Sequence, residues 1–168
     1  MARFISNSQI ISASQAQVDA LTPGLATVFV SPKTLAAATF HGRKNFQALV
    51  FDFTTDCATG DGRFYFIIPA GFNGMNLVDI RADVITAGVT GTMDIQINNV
   101  TQGADMLTTK LTIDTGETLS DNAATPAVID TANDDVATND LLRIDVDAIH
   151  TTAAKGLIVT LTFQLPTS

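Results

Sequence analysis

Several residue types that build active sites are scarce in this 168-residue chain. Cysteine occurs once, at Cys57, which excludes an internal disulfide, and histidine occurs only at His41 and His150. Tryptophan is absent, and tyrosine occurs only at Tyr65. The chain contains no nucleophile elbow, no Walker loop and no dinucleotide-binding glycine motif. These absences favour a binding or structural protein, and we expect neither enzymatic activity nor a required cofactor.

Basic residues are also few, and they are unevenly distributed. The chain has 9 Lys and Arg against 17 Asp and Glu, a net charge of −8. Phosphate repels such a chain, so we expect it to bind neither nucleic acid nor anionic membrane. Residues 1–46 carry four basic residues and one acidic residue, a net +3, whereas residues 47–168 carry five basic and sixteen acidic residues, a net −11.

Long apolar runs are missing as well. The apolar start of the chain is interrupted at residues 6–9, which leaves too short a run for the core of a signal peptide. A membrane-spanning helix needs about 18 or more apolar residues, and the sequence has no such run. We therefore expect synthesis in the cytoplasm without a leader.

The periodicity of the chain changes near residue 46. The helical signals lie in residues 1–45, where a capping box at 14–17 predicts one short helix and Ser31-Pro32 predicts the start of another. From residue 47 apolar and polar residues alternate, which is typical of strands buried on one face. Strands are predicted at 47–53, 63–68, 77–85, 92–98, 107–113, 142–149 and 157–165, with a short piece at 117–119 and a hairpin loop at 87–91.

About eight short strands without intervening helices predict an all-β, antiparallel jelly-roll or β-sandwich knob. We assign this domain to residues 46–168 and a short, partly helical N-terminal arm to residues 1–45. The segment 120–139 is long for a loop in a compact domain, so it is either a functional loop or a crossover between sheets.

Acidic residues supply the candidate chemistry, and each candidate has a simpler interpretation. The segment 130–135, with Asp140 nearby, could hold calcium, but it lacks the glycine and bidentate glutamate of a calcium loop, so a turn-rich solvated loop is favoured. Asp145 and Asp147 share one strand face, as exposed carboxylates commonly do, and the pattern shows no burial that would raise a pKa for glycoside chemistry. We predict no metal site and no catalytic residue.

The histidines, the cysteine and the tyrosine are assigned structural roles. His41 and His150 have no partners at metal-ligand spacing, so both are predicted to lie at the surface. Carboxylates beside Cys57 should raise the pKa of its thiol, which argues against reactivity. Tyr65 lies within Phe64-Tyr65-Phe66, which is typical of a strand with core aromatics. Sugar binding relies on exposed aromatics, so this assignment weighs against a lectin.

Two stretches resemble proteins of tailed bacteriophages. Residues 13–20, ASQAQVDA, followed by 30–35, VSPKTL, resemble a segment common in tail-fibre, tail-collar and head-fibre proteins, with a departure at Leu21 and Pro23-Gly24. Much of 68–166 resembles a β-sandwich module of virion proteins. The matching pieces are Pro69, NGMNL at 73–77, DML at 105–107, KLTID at 110–114, ATP at 124–126, LRIDV at 142–146 and KGL at 155–157.

The resemblance implies a virion structural protein that forms a homotrimer. The chain has neither a fibre shaft nor a long repetitive solenoid, which favours a capsid decoration (cement) protein or short head fibre on the outer surface of the head. The alternative is the receptor-binding, glycan-recognising tip of a short tail fibre or spike. The predicted partner is the major capsid protein. Apolar arm residues supply the expected capsid or trimer interface: Phe4, Ile5, Ile10, Ile11, Val18, Leu21, Phe29, Val30 and Leu35.

Overall fold

The structure, a computed structural model, describes residues 42–166. The predicted arm helices and His41 lie outside these residues. Residues Lys44–Gln164 form one compact unit. Its strands are β1 (Lys44–Leu49), β2 (Gly60–Ile67), β3 (Met75–Thr86), β4 (Met93–Asn99), β5 (Ala104–Asp105), β6 (Leu107–Thr109), β7 (Leu111–Ile113), β8 (Val128–Ile129), β9 (Asp135–Val136), β10 (Leu141–Ala148) and β11 (Lys155–Gln164). Two 3-10 turns lie at Ala70–Phe72 and Ser120–Asn122.

The main strands form two antiparallel sheets that enclose a common core. Sheet A has the order β1-β11-β3-β9, and sheet B has the order β2-β10-β4, with β5 and β7 both on the far side of β4. Leaving out the separate β6-β8 ladder and counting β5 and β7 as one interrupted strand gives eight strands. Renumbered 1 to 8 in chain order, they run 1-8-3-6 in sheet A and 2-7-4-5 in sheet B. This is the double Greek-key order of a jelly roll, so the predicted fold class is confirmed.

Period-two alternation explains which face of each strand is buried. In β11, Leu157, Val159, Leu161 and Phe163 are fully buried, while the intervening residues are mostly more exposed. β4 and β10 meet them from sheet B with a second set of buried apolar side chains: Met93, Ile95, Ile97, Leu142, Ile144 and Val146. Burying each large apolar side chain is worth roughly 1.5–3 kcal/mol, and these two rows supply ten of the 23 buried apolar residues in the described part of the core.

The predicted hairpin at 87–91 is wrong. β3 pairs with β11 and β9 in sheet A, whereas β4 pairs with β10, β5 and β7 in sheet B. The glycine-rich loop therefore carries the chain from one sheet to the other. Alternation specifies the buried face of a strand, but both sheets bury their inner faces on the same core, so it does not specify the sheet.

The strand predicted at 107–113 is interrupted. The Gln96 side-chain amide, 3.0 Å from the Leu107 carbonyl, donates to it and takes the place of a β4 backbone partner. Leu107 then pairs with Ile129, so β6 and β8 form a small separate ladder. The chain returns to β4 at Leu111, opposite Ile95. The segment 120–139 thus contains the 3-10 turn, β8 and β9, and it passes from sheet B to sheet A and back.

Candidate functional site

The arm residues predicted to form the interface lie outside the described residues: Phe4, Ile5, Ile10, Ile11, Val18, Leu21, Phe29, Val30 and Leu35. β1 begins at Lys44, close to the predicted boundary between arm and domain. The functional surfaces of the described part must therefore be sought on the jelly roll itself.

The acidic segment 130–140 uses its carboxylates to hold its own backbone. Asp130 accepts hydrogen bonds from the Ala132 N–H and the Asn133 side chain, at 3.1 and 2.7 Å. The buried Asp140 accepts from the Ala137 N–H and from two side-chain amides, those of Asn99 and Gln102. Within residues 42–166, no three His, Cys, Asp or Glu side chains converge on one point. The geometry is that of a self-capped loop.

A separate pair of polar contacts stabilises Asp134 in this loop. Burial raises the pKa of Asp134, while a 2.8 Å hydrogen bond from the Asn76 side chain opposes that rise. Leu77 N–H also donates to the Asp134 carbonyl at 2.7 Å, which ties the loop to β3. These contacts position the short edge strand β9 rather than a ligand.

The carboxylates of Asp145 and Asp147 are held by different partners. Asp145 is buried, contrary to the prediction of two exposed carboxylates, because the Gly62 N–H (2.6 Å) and the Arg143 guanidinium (2.9 Å) bind its two oxygens. The hydrogen bond to Asp145 raises the pKa of Arg143. Asp147 pairs with Lys110 at 2.9 Å. Each carboxylate thus has its own cation, an arrangement suited to fixing the outer face of sheet B.

His150 is buried, so its predicted surface position is wrong. It follows β10 in a loop that packs against the 87–91 crossover, where the Thr151 N–H donates to the Thr90 carbonyl at 2.9 Å. The imidazole lies directly against Gly88. Neither ring nitrogen has a hydrogen-bond partner among residues 42–166. These two loops thus enclose an imidazole whose ring nitrogens are unpaired among the described residues.

Cys57 is buried in the same end of the molecule. Burial, and to a smaller extent the neighbouring Asp56 carboxylate, raises the pKa of the thiol to about 11. The prediction of an unreactive thiol identified the direction of the shift, but the main cause is loss of solvent rather than the adjacent charge.

Tyr65 is exposed, which corrects its assignment to the core. Phe64 and Phe66 point inward from β2, and Tyr65 between them points outward with 52% of its surface exposed. Its hydroxyl lies over Gly62, where an added Cβ would come within 2.1 Å of the oxygen. Arg143 is its cross-strand neighbour on β10. The outer face of sheet B therefore presents one aromatic ring beside a charged network.

A second surface lies where the edge strands of the two sheets meet, and we call it the β1/β2 edge. Phe46 of β1 stacks on Phe66 of β2 with ring centroids 4.0 Å apart, and Phe64 lies 6.3 Å from Phe46. All three rings are only partly buried. The aromatic layer of the sandwich therefore ends at an incompletely covered edge.

Apolar residues extend from this edge over one end of sheet A. Leu49, Phe53 and Ile85 are each more than 40% exposed. Phe53 and Ile85 lie against Gly156, since an added Cβ there would lie 2.7 Å from Ile85 and 2.8 Å from the Phe53 backbone. Ile158, opposite Leu49 in the ladder, continues the surface. We call these residues the sheet A patch.

A shallow groove of about 410 Å³ lies between β3 and the segment 120–129. Arg81 bridges to Asp121 beside it at 3.2 Å. The walls of the groove combine apolar residues with two carboxylates and a serine: Val78, Asp79, Ile80, Leu111, Ser120, Asp121, Ala123, Pro126, Ala127, Val128 and Ile129.

No family model, no curated protein and no solved structure matches the chain. In addition, no helix within residues 42–166 has the length and apolar character needed to cross a membrane. The described residues combine exposed apolar and aromatic surfaces with carboxylates that are engaged in internal hydrogen bonds and ion pairs.

Proposed function

We propose that the chain is a capsid decoration protein of a tailed phage, which binds the head through its arm and projects the acidic jelly roll into solvent. The observation that carries the proposal is the division of roles along the chain. Residues 47–168 carry a net −11 on a jelly roll whose described carboxylates are largely bound to their own backbone or to cations. Residues 1–46 carry a net +3 and a high density of apolar side chains.

Physical considerations support this division. The described residues of the jelly roll form a core of their own. Each large side chain buried at a capsid surface would contribute roughly 1.5–3 kcal/mol, so a few contacts suffice for attachment. The acidic body would keep neighbouring copies apart and the particle soluble. The resemblance of residues 13–35 to phage fibre and collar segments supports the same role for the arm.

The test compares two double variants with equal added charge. Ile10→Asp with Ile11→Asp removes two apolar contacts, and Ser6→Asp with Ser8→Asp adds the same charge without that loss. We expect the isoleucine variant to lose at least tenfold in affinity for heads assembled without this protein, and the serine variant to bind nearly as the parent does. Equal occupancy by the parent and the isoleucine variant would exclude the arm as the anchor.

The exposure of Tyr65 supports a second candidate, a glycan-binding fibre tip. Its ring lies beside Arg143, and the Asp61 carboxylate is 3.5 Å from the Arg143 guanidinium, so stacking and hydrogen-bonding groups share one surface. Under this function, Tyr65→Ala would abolish binding to host cells, while Ile10→Asp with Ile11→Asp would leave it unchanged. Under the decoration function, Tyr65→Ala would leave head binding unchanged.

A further inference from the structure

Among residues 42–166, β1 has a regular row of backbone groups with no partner on its outer side. Its one neighbour in this part of the chain is β11, and the 2.8 Å hydrogen bond from the Val50 N–H to the Leu157 carbonyl fixes which residues face that strand. Because antiparallel pairing alternates, the even-numbered residues of β1 bond to β11 and the odd-numbered residues point away. The N–H and C=O groups of Asn45, Gln47 and Leu49 are therefore presented outward, and no described hydrogen bond uses them.

Apart from Lys44 at its start, β1 lacks the devices that normally protect sheet edges. Its six-residue register against β11 is unbroken, and from residue 45 to residue 51 it contains neither a charge nor a proline. By contrast, β2 is interrupted by an irregularity near Gly60 and Gly62 and carries Asp61 and Arg63 outward. The other edges are formed by β9 in sheet A and by β5 and β7 in sheet B, and each of these strands has only two or three residues. Among the described strands, β1 is the edge best suited to accept another strand.

The surroundings of β1 favour a whole domain over an isolated peptide as the partner. The half-buried ring of Phe46 lies directly inside the edge, and the exposed Leu49 joins it to the sheet A patch. An added peptide strand would satisfy the backbone of β1 but would leave these apolar surfaces in water. A second folded domain paired edge to edge would satisfy the backbone of β1 and would also bring its own side chains against Phe46 and Leu49.

The charges around β1 suit a second copy in antiparallel orientation. Arg43 and Lys44 stand at the start of the strand, and Asp52 and Asp56 follow its end; within the chain the Lys44 ammonium also binds the Gly71 carbonyl, and Asp56 pairs with Lys155 at 3.3 Å. Antiparallel pairing of two copies brings the basic start of each strand near the acidic segment of the other. Parallel pairing would place like charges together. The strand is therefore complementary to itself about a two-fold axis.

We propose that two copies of this chain pair through β1 in antiparallel fashion, with the axis at Gln47. Asn45 of one copy then faces Leu49 of the other, and the three outward-pointing residues exchange up to about six backbone hydrogen bonds. The two A sheets become one continuous sheet, and the Phe46 rings of both copies lie under the junction. This contact is two-fold, so it is separate from the three-fold association implied by the sequence resemblance.

The test exploits the prediction that residue 47 faces itself. In sedimentation experiments, the apparent mass of the full chain should double as its concentration rises through the micromolar range. Gln47→Lys alone and Gln47→Glu alone should each weaken self-association at least tenfold because like charges meet at the axis. An equimolar mixture of the two should restore association as a mixed pair, since opposite charges meet there.

Matched variants one step along the same exposed face provide the control. Asn45→Lys and Asn45→Glu add the same charges, but residue 45 faces residue 49, so each should associate as the parent does. Three results would overturn the proposal: a parent that stays monomeric at 100 µM, a parent trimer insensitive to Gln47→Lys, or a mixture of charge variants that does not associate. If the parent is monomeric and Gln47→Lys loses head binding, the β1 edge binds a capsid partner instead. That result would also overturn the proposal.

Discussion

Substituting Gly88 by alanine should destabilise the jelly roll by a clash with the buried His150. A Cβ built on Gly88 lies 2.3 Å from both Cγ and Nδ1 of the imidazole and 2.7 Å from its Cβ. Carbon atoms in contact prefer about 3.5–4.0 Å, so the ring or the loop must move by more than 1 Å. His150 is enclosed and cannot simply rotate into solvent.

The size of the effect follows from the cost of overpacking. Adding a methyl group to a well-packed interior costs about 1–3 kcal/mol. For a chain of this length, each kcal/mol lowers the melting temperature by about 2–4 °C, so we expect a fall of about 2–12 °C. The loss should appear as a shift in the urea midpoint without a change in slope, measured by circular dichroism of the full chain.

Two further variants separate the clash from other effects of a glycine substitution. Gly71→Ala is the control, because the Cβ there would meet only the flexible Lys44 ammonium at 3.3 Å, and its stability should stay within about 0.5 kcal/mol of the parent. In a His150→Ala background the Gly88→Ala penalty should shrink by at least about 0.5 kcal/mol, although the remaining Cβ keeps part of the clash. An equal penalty in both backgrounds would refute the reasoning.

Two other predictions concern buried polar groups. Ser120→Ala removes the oxygen that accepts the buried Ala82 N–H at 2.9 Å, so it should cost about 1–3 kcal/mol in urea unfolding, and a loss below 0.3 kcal/mol would show that the amide finds another acceptor. Cys57, with a pKa of about 11, should be about 1% thiolate at pH 9, against about half for a free thiol of pKa 9.0. Alkylation at pH 9 should therefore be more than about tenfold faster in denaturant than in the folded chain, and equal rates would contradict the burial of the thiol.

Much of the jelly roll was predictable because its strands are buried on one face. The alternation in β10 and β11 identified Leu142, Ile144, Leu157 and Leu161 as core residues, and all are fully buried. The pairing of strands was not predictable in the same way. Loop glycines at 87–91 indicate a turn, but a turn that joins two neighbours and one that crosses between sheets place the same demands on the sequence.

Tyr65 and His150 were misplaced for different physical reasons. Tyr65 sits in an aromatic run where both faces are apolar, which hid the period of two, although strict alternation with Phe64 and Phe66 would have placed it outward. His150 lies just beyond β10, where alternation no longer applies. Its burial results from the packing of two loops that are about sixty residues apart in the chain, and composition gives no signal of that contact.

The free edge of β1 shows a more general limit of sequence interpretation. The uncharged run from residue 45 to residue 51 is visible in the sequence, but an apolar strand of this kind equally suits the middle of a sheet, where both sides are paired. What makes it an edge is the order β1-β11-β3-β9, which depends on long-range pairings such as that of Leu49 with Ile158. A central strand needs no protection, whereas an edge strand of the same sequence attracts a partner. The same residues can thus form a core or an interface, and the topology decides which. For this reason the sequence predicted an interface on the arm, whereas the structure adds a second one on the jelly roll.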